Sequence, residues 1–259
     1  MNQEERRRFL IEELLRERLS CRRQEIPADT DRQKVLLRSL MNVRHPGAIS
    51  QRFLEVQDAY LQGELAAKKI TRLSELSPLQ NGIYLWRGDI TTLDCGAIVN
   101  AANSGMTGCY QPCHNCIDNC IHTYAGVQLR LKCAEIMEQQ GYEEPTGQAK
   151  ITPAYNLPCD YVIHTVGPIV RGELTRQHCE LLKSCYRSCL ELADENNVGS
   201  IAFCCISTGI FMFPNDRAAE IAVQTVQEYK AETGSKIEVV FNVFKEQDER
   251  IYRKLLSAD

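Results

Sequence analysis

From residue 83 onward, short apolar segments alternate with longer segments of helical periodicity, and this alternation constrains the fold more than any other feature. The longer segments have apolar residues three or four positions apart, as in an amphipathic helix. Strands that alternate with helices predict a three-layer α/β sandwich. The predicted strands are 83–87, 97–99, 148–152, 161–166, 200–207 and 237–244. The predicted helices are 117–139, 173–196, 217–233 and 248–256.

The beginning of the chain has a different pattern, which predicts a group of helices. The first helix has its apolar residues at helical spacing, namely Leu10, Ile11, Leu14, Leu15 and Leu19. A second helix is expected over 31–42, with Thr30 or Asp31 as its N-cap. A third is expected from about residue 48 to 68, after the break at Pro46 and Gly47.

A segment at 74–82 that contains serine, proline and glycine indicates a linker. We therefore expect two units, a small helical element at 1–75 and an α/β domain at 76–259. The helical element either packs on the larger domain as a scaffold or docks a partner, and the scaffold is the simpler interpretation.

Composition limits the functions that the chain can have. Hydrophobic residues make up 44% and charged residues 25%, which is ordinary for a globular protein. The formal net charge is −4, so no global basic field would attract nucleic acid. The charged first residues lack the apolar run of a secretory signal, and no apolar segment is long enough to span a membrane. We therefore expect a cytoplasmic protein.

Cysteine is unusually frequent, with 13 residues. Cytoplasmic proteins rarely contain disulfides, so most of these cysteines are expected to be small buried apolar residues. One cluster differs from the rest, because four cysteines and a histidine fall between residues 109 and 120. Its members are Cys109, Cys113, His114, Cys116 and Cys120. Thiolate and imidazole are the ligands that zinc prefers, so this spacing indicates a metal site.

Polar turns follow several of the predicted strands, and α/β folds bind ligands at such turns. They are Gly-Asp-Ile-Thr at 88–91, Asn-Ala-Ala-Asn at 100–103, His-Thr-Val-Gly-Pro at 164–168 and Ile-Ser-Thr-Gly-Ile-Phe at 206–211. Together with Ile-Asp-Asn-Cys-Ile-His at 117–122, these motifs resemble the macrodomain family, and specifically its MacroD-type hydrolases. The resemblance covers roughly residues 80–259. It implies a three-layer α/β/α fold with a mixed sheet and an ADP-ribose cleft at its crest.

The resemblance also implies roles for individual residues. Asp89, with Ile90 beside it, would bind the adenine, and Asn103 would contact the distal ribose. The turn Ser207, Thr208, Gly209, Ile210 and Phe211 would hold the diphosphate with backbone N–H groups, and Phe211 would fix the distal ribose. Such a turn offers unpaired donors to an anion. Phe244 would pack either against adenine or in the core.

The sequence departs from the MacroD-type pattern between the Asn-Ala-Ala-Asn turn and the helix that starts near Asp118. The glycine-rich stretch of that family is absent, and Gly-Cys-Tyr-Gln-Pro-Cys-His-Asn-Cys stands at 108–116. This resembles the zinc-dependent macrodomain branch of microbes, whose pattern matches Cys109, His114 and Cys116. Three protein ligands would leave one open position on zinc, as in catalytic sites. A closed site that also uses Cys113 or Cys120, and a chain without metal, are the alternatives.

The resemblance implies a zinc-dependent hydrolase that removes mono-ADP-ribose from protein side chains, with Asn103 and Asp118 as catalytic residues. Zinc would activate a water or orient the ribose. Asp118 would orient a water or a ribose hydroxyl, or would only cap the helix that follows. The family context suggests a lipoyl-carrier protein, modified by a sirtuin-type transferase, as substrate. The alternatives are a non-catalytic ADP-ribose-binding module with a structural zinc and an O-acetyl-ADP-ribose deacetylase.

Overall fold

The computed structural model describes residues 1–18 and 25–257, which form eight α-helices and eight strands. The helices are α1 (Gln3–Glu17), α2 (Thr30–Val43), α3 (Gln51–Ala66), α4 (Ile117–Ala125), α5 (Val127–Gln140), α6 (Arg176–Glu195), α7 (Asn215–Thr233) and α8 (Glu246–Leu256). The strands are β1 (Thr71–Arg72), β2 (Ile83–Arg87), β3 (Leu93–Asp94), β4 (Ala97–Ala102), β5 (Ala149–Pro153), β6 (Tyr161–Val166), β7 (Ser200–Phe203) and β8 (Glu238–Val243).

A six-stranded sheet with the order β2-β8-β7-β4-β6-β5 forms the centre of the molecule. Strands β2, β8, β7, β4 and β6 are parallel, and β5 runs antiparallel at one edge, so the sheet is mixed. A separate parallel pair joins β1 to β3. The predicted α/β fold with a mixed sheet is confirmed. The carboxyl ends of the parallel strands lie along one border of the sheet, which we call the crest.

Helices cover both faces of this sheet, as two neighbouring residues of β6 show. The side chain of His164 reaches Cys133 of α5, whereas Thr165 lies against Cys185 of α6. Successive side chains of a strand point to opposite faces, so α5 and α6 belong to different layers. α6 packs on α7 and α7 on α8, while α4 packs on β4. Within residues 1–18 and 25–257, no helix is long and apolar enough to cross a membrane.

The three N-terminal helices have a hydrophobic core of their own. Leu10 and Leu14 of α1 meet Leu37 and Phe53 from the other two helices, and Val127 at the start of α5 joins this cluster. The predicted helical element is therefore present and packs on the larger domain at α5. The predicted contribution of Leu19 lies outside the described residues.

The expected caps and some element ends differ from those observed. The N-cap of α2 is Asp29, whose side chain accepts a hydrogen bond from the Arg32 N–H at 2.8 Å, so the choice of Thr30 or Asp31 was wrong. The single helix predicted over 117–139 is also wrong. It is interrupted at Gly126, whose φ of 97° is accessible mainly to glycine. The strand predicted over 200–207 ends at Phe203, where the chain turns into a crest loop.

Candidate functional site

The loops at the crest bring together the turns that were singled out in the sequence. Asp89 follows β2, Asn103 follows β4, and Ser207 follows β7 after a short connection. These three strands are parallel members of one sheet, so their carboxyl ends meet along the same border. The crest is therefore the candidate ligand-binding cleft.

The segment Gly108–Cys116, which we call the cysteine loop, joins Asn103 to α4 without regular secondary structure. Potential ligand atoms of Cys109, His114 and Cys116 all lie within 4.8 Å of one another. The Cys109 Sγ is 3.6 Å from the His114 Nδ1. The three side chains are neither fully buried nor fully exposed, so a cation could reach them from solvent.

The other two cysteines of the cluster point away from these three residues. The Sγ of Cys113 lies 3.5 Å from the carbonyl oxygen of Val35, and the Sγ of Cys120 lies 3.6 Å from the Arg38 Nη2. Both therefore face α2. The arrangement favours a three-ligand site over the closed four-ligand alternative.

Cys116 is also the N-cap of α4, because its Sγ accepts a hydrogen bond from the Asn119 N–H at 3.4 Å. The alternative in which Asp118 caps this helix is therefore wrong. Burial raises the pKa of the Cys116 thiol to about 12, and the nearby Cys109 and Asp118 act in the same direction. The hydrogen bond from the Asn119 N–H lowers this pKa and so opposes them. A bound cation would offset this cost, because a coordinating thiol is deprotonated.

Asp118 lies in the first turn of α4 and is buried. Its Oδ1 accepts a hydrogen bond from the Asn100 Nδ2 at 2.8 Å, and its Oδ2 accepts one from the Asn103 Nδ2 at 3.3 Å. Burial raises the pKa of Asp118 to about 6, opposed by Asn100, by the charge of Arg130 and by Asn103. Asn103 also donates to the carbonyl oxygen of Gly108 at 3.2 Å, so it connects Asp118 to the cysteine loop.

A buried polar chain continues from Asp118 into the sheet. The Asn100 Nδ2, which can only donate, is 3.1 Å from the His164 Nδ1, so Nδ1 is the acceptor. The neutral ring then carries its hydrogen on Nε2, which lies 3.0 Å from the Thr152 Oγ1. Burial keeps this ring neutral by lowering the pKa of His164 to about 3.

His122, Cys133 and His164 form a second group of possible metal ligands. All three are buried. The His164 Nε2, which would face a cation, carries a hydrogen and therefore cannot coordinate it. The ring nitrogens of His122 have no hydrogen-bond partner within the part of the chain that the structure describes. Burial lowers the pKa of His122 well below its ordinary value, and the positive charge of Arg130 acts in the same direction. This group therefore forms a neutral polar support beneath Asp118.

At the other end of the crest, Asp89 presents a partly free carboxylate. Its Oδ1 accepts hydrogen bonds from the backbone N–H and the hydroxyl of Thr91 at 3.0 and 2.6 Å. Its Oδ2 lies 3.9 Å from the Lys68 Nζ. The neighbouring Ile90 side chain is buried, so only its backbone can face a ligand. Phe244 is 78% exposed, so its alternative role in the core was wrong.

The segment Ser207–Phe211, which we call the Ser207 loop, offers backbone donors. The N–H groups of Gly209, Ile210 and Phe211 make no hydrogen bond to any other described residue. Backbone hydrogen bonds hold the loop: the Phe213 N–H donates to the Ser207 carbonyl at 3.0 Å, and the Val170 N–H donates to the Phe211 carbonyl at 2.9 Å. Ser207 has a φ of 65°, which turns the chain sharply at this point. Consecutive free N–H groups in such a turn form a concavity that suits an anion.

Sequence reasoning missed four polar residues around these loops. They are Arg38, Asn42, Lys68 and Arg130. Arg38 lies 76 positions before the residue it contacts in the cysteine loop, so no local pattern could indicate it. A buried arginine on α5 resembles any other charged residue of an amphipathic helix until its neighbours are known.

Comparison with known proteins places this geometry in context. The family model described as Macro domain matches residues 99–222. A Treponema medium protein named protein-ADP-ribose hydrolase is 63% identical over 99% of this chain and 100% of its own length. A Staphylococcus aureus protein of the same name is 49% identical over 97% of this chain and 95% of its own length. The structure of a Trypanosoma brucei macrodomain in complex with ADP-ribose is 29% identical, with a TM-score of 0.65, and the match covers 84% of this chain and 94% of that one.

Proposed function

This chain belongs to the macrodomain family, and we propose that it is a hydrolase that removes mono-ADP-ribose from modified protein side chains. The observation that carries this proposal is the position of the cysteine loop. Its three potential ligands converge next to Asn103, which also contacts Asp118. A group that reacts with ribose and a group that binds it would therefore stand side by side. The proteins named protein-ADP-ribose hydrolase that resemble the chain over nearly its whole length support the same conclusion.

We propose that ADP-ribose lies along the crest. The Asp89 Oδ2 accepts a hydrogen bond from the adenine amino group, since its Oδ1 is already occupied by Thr91. The free N–H groups of the Ser207 loop bind the diphosphate. Asn103 contacts the distal ribose at the end of the cleft nearest the cysteine loop. The proposed binding residues are Asp89, Ile90, Asn103, Ser207, Thr208, Gly209, Ile210 and Phe211.

We propose zinc as the cofactor, held by Cys109, His114 and Cys116. Two thiols and one imidazole are a donor set that zinc prefers, and their convergence within 4.8 Å fits a single ion. Cys113 and Cys120 face α2 instead, which supports three protein ligands, as is typical of a catalytic zinc. When bound, zinc supplies a Lewis acid next to the ribose.

The chain's own residues provide the remaining chemistry. Cleavage at the anomeric carbon develops positive charge on the sugar ring, as in other glycoside hydrolysis. Asp118 is suited to hold a water or a ribose hydroxyl, because its carboxylate is fixed from two sides by Asn100 and Asn103. With a pKa of about 6, it is ionised at neutral pH and can accept hydrogen bonds. The neutral His122 and His164 beneath it add no competing positive charge.

Two finer parts of the proposal depend on the resemblance to the zinc-dependent branch. We propose a lipoyl-carrier protein, modified by a sirtuin-type transferase, as the substrate. We also propose that residues 1–75 form the accessory helical element and 76–259 the macrodomain proper. The separate core of the N-terminal helices supports this division.

The test is to incubate the zinc-loaded protein with a mono-ADP-ribosylated lipoyl-carrier protein and to measure the release of ADP-ribose. We expect Cys116→Ala to lower the rate of ADP-ribose release by at least about 100-fold. Loss of one group that stabilises charge in the transition state has an effect of this size in other enzymes. Cys113→Ala is the matched control, since its thiol faces α2, and it should retain the wild-type rate. If neither wild type nor either variant removes the modification while all three bind ADP-ribose, the chain is a binding module. If only O-acetyl-ADP-ribose is cleaved, it is a deacetylase.

A further inference from the structure

We infer that helix α2 is a brace that holds the cysteine loop in its metal-binding conformation, with Arg38 and Asn42 as positioning residues. This inference rests on the proposed metal site. The loop has no helix or strand of its own and few internal hydrogen bonds, such as His114 N–H to the Gln111 carbonyl at 3.3 Å. Three ligands on an irregular segment need support from outside if they are to converge without a large loss of conformational entropy.

Arg38 provides the first part of this support. Its Nη2 donates to the carbonyl oxygen of His114 at 2.8 Å and to the Oδ1 of Asn119 at 3.0 Å. The amide of Asn119 in turn donates to the carbonyl oxygens of Cys109 and Gln111 at 3.3 and 3.0 Å. One guanidinium and one amide therefore fix the backbone at both ends of the loop, next to two of the proposed ligands.

Asn42, one turn further along α2, provides the second part. It is 1% exposed, and its Oδ1 accepts a hydrogen bond from the Cys113 N–H at 2.9 Å. Its Nδ2 donates to the Thr123 Oγ1 at 2.8 Å, and that hydroxyl donates to the Asn119 carbonyl at 2.7 Å. The amide is thus held in one orientation, and it fixes the peptide between Pro112 and Cys113, one residue before His114.

Arg130 joins the end of α2 to the beginning of the loop. Its Nη1 donates to the carbonyl oxygens of Met41, Asn42 and Arg44, where a helix C-terminus attracts a cation. Its Nε donates to the Thr107 carbonyl at 2.7 Å. Since Arg130 is buried, it fixes the distance between α2 and the chain that enters the loop.

These contacts give the N-terminal helices a role in the site that does not require them to touch a substrate. The backbone carbonyl of His114 and the N–H of Cys113 are held by α2, whereas the donor atoms of the three ligands lie within 4.8 Å of one another. Groups that orient metal ligands without binding the metal commonly change metal affinity when they are altered. The brace therefore predicts that zinc affinity depends on residues of α2.

The experiment compares Arg38→Met and Asn42→Ala with wild type in the full chain. Zinc affinity is measured by competition with a chromophoric chelator, and the thiolate-to-metal absorption is recorded after substitution with Co²⁺. We expect both variants to bind zinc about 10- to 100-fold more weakly. We also expect an altered Co²⁺ spectrum, because the ligands no longer hold one geometry. Arg38→Lys should restore part of the affinity, since an ammonium can still reach one acceptor.

Arg32→Met is the matched control, because Arg32 is an exposed arginine of the same helix whose side chain has no partner among the described residues. ADP-ribose affinity, measured in parallel, should stay at the wild-type value in every variant and shows that the domain is folded. If the two brace variants bind zinc as tightly as wild type with the same spectrum, the brace is refuted and the metal site stands. A wild-type protein that binds no zinc refutes both the proposed metal site and the brace.

Discussion

The cysteine loop and the Ser207 loop both lie at the crest and both lack regular secondary structure, but they are held in opposite ways. Side chains of α2, α4 and α5 donate hydrogen bonds to backbone carbonyls of the cysteine loop. They are Arg38, Asn119 and Arg130. The Ser207 loop is held by backbone hydrogen bonds, one of them from Val170, and the N–H groups of 209–211 have no hydrogen-bond partner among the described residues. In the proposed site, the first loop would bind its ligand through side chains and the second through its main chain.

This difference matches what each loop would bind. A metal ion requires a few donor atoms at fixed distances, so the backbone behind those atoms must be fixed by its surroundings. A diphosphate can be bound by main-chain donors, which need only the correct turn. We therefore expect changes at one loop to leave the ligand of the other largely unaffected, and the following predictions test this independence.

Removal of the metal should have the largest effect. Chelation of the zinc-loaded protein is expected to lower the hydrolysis of mono-ADP-ribosylated protein by at least about 100-fold. ADP-ribose affinity should change by less than about threefold, because among the described residues neither the Ser207 loop nor Asp89 hydrogen-bonds to the proposed ligands. Calorimetry before and after chelation measures the affinity, and return of activity with added zinc is the control. A parallel loss of binding would show that the two loops are coupled.

A charge placed in the Ser207 loop should have the reverse effect. A Cβ atom on Gly209 meets no heavy atom within 4 Å, so a longer side chain would extend into the open space above the loop. Gly209→Glu should weaken ADP-ribose binding by at least about 10-fold, because its carboxylate repels the diphosphate. Gly209→Gln has the same size without the charge and should lose less affinity. Zinc affinity should stay unchanged in both variants. An unaltered ADP-ribose affinity in Gly209→Glu would show that the diphosphate does not bind at this loop.

The polar chain beneath the cysteine loop should make folding stability depend on pH. His164 has a pKa lowered to about 3 by burial, whereas an unfolded histidine titrates near 6.5. Between these values the unfolded chain binds a proton that the folded chain does not, so stability decreases as the pH falls. This histidine contributes a slope of about 1.4 kcal/mol per pH unit. Asp118 acts in the opposite direction, because its pKa is raised to about 6.

The contribution of His164 is therefore measured as a difference between two proteins. Gln in its place can accept from Asn100 and donate to Thr152 but does not titrate. Urea unfolding measures the free energy of unfolding of His164→Gln and wild type between about pH 5 and 6.5, with a chelator present to remove metal ions. The variant should lack the pH dependence that His164 contributes. His178→Gln, at the start of α6, is the control and should show the same pH dependence as wild type. Equal slopes in His164→Gln and wild type would mean that folding does not change the pKa of this histidine, which would contradict its buried, neutral state.

The sequence was sufficient for the arrangement of layers but not for every element. Apolar spacing located most of the helices within a few residues, because one face of each packs on the sheet. The break at Gly126 was not predicted, since Ile121, Ala125 and Leu129 keep helical spacing across it. Only the surrounding contacts show why the chain bends there: the Gln57 Oε1 accepts a hydrogen bond from the Val127 N–H at 2.9 Å.

The candidate site was predictable to the extent that its chemistry is local in sequence. Cys109, His114 and Cys116 lie within eight positions, and the structure brings their donor atoms together. Whether they bind zinc remains a prediction. The contact between Arg38 and His114 joins residues 76 positions apart. Such a contact depends on how α2 packs on α4, and periodicity does not indicate packing between distant helices.

Phe244 offers the smallest and most local test, at the end of the crest away from the cysteine loop. It follows β8 and is 78% exposed, so it contributes little to the core and its removal should leave stability unchanged. If adenine stacks on it, Phe244→Ala should weaken ADP-ribose binding by about fivefold, or about 1 kcal/mol, at the lower end of base–aromatic stacking. Tyr161→Ala is the control, because Tyr161 lies at the start of β6, at the opposite border of the sheet. Equal ADP-ribose affinities in both variants and wild type would leave Asp89 as the adenine contact and would restrict the proposed site to the region between Asp89 and the cysteine loop.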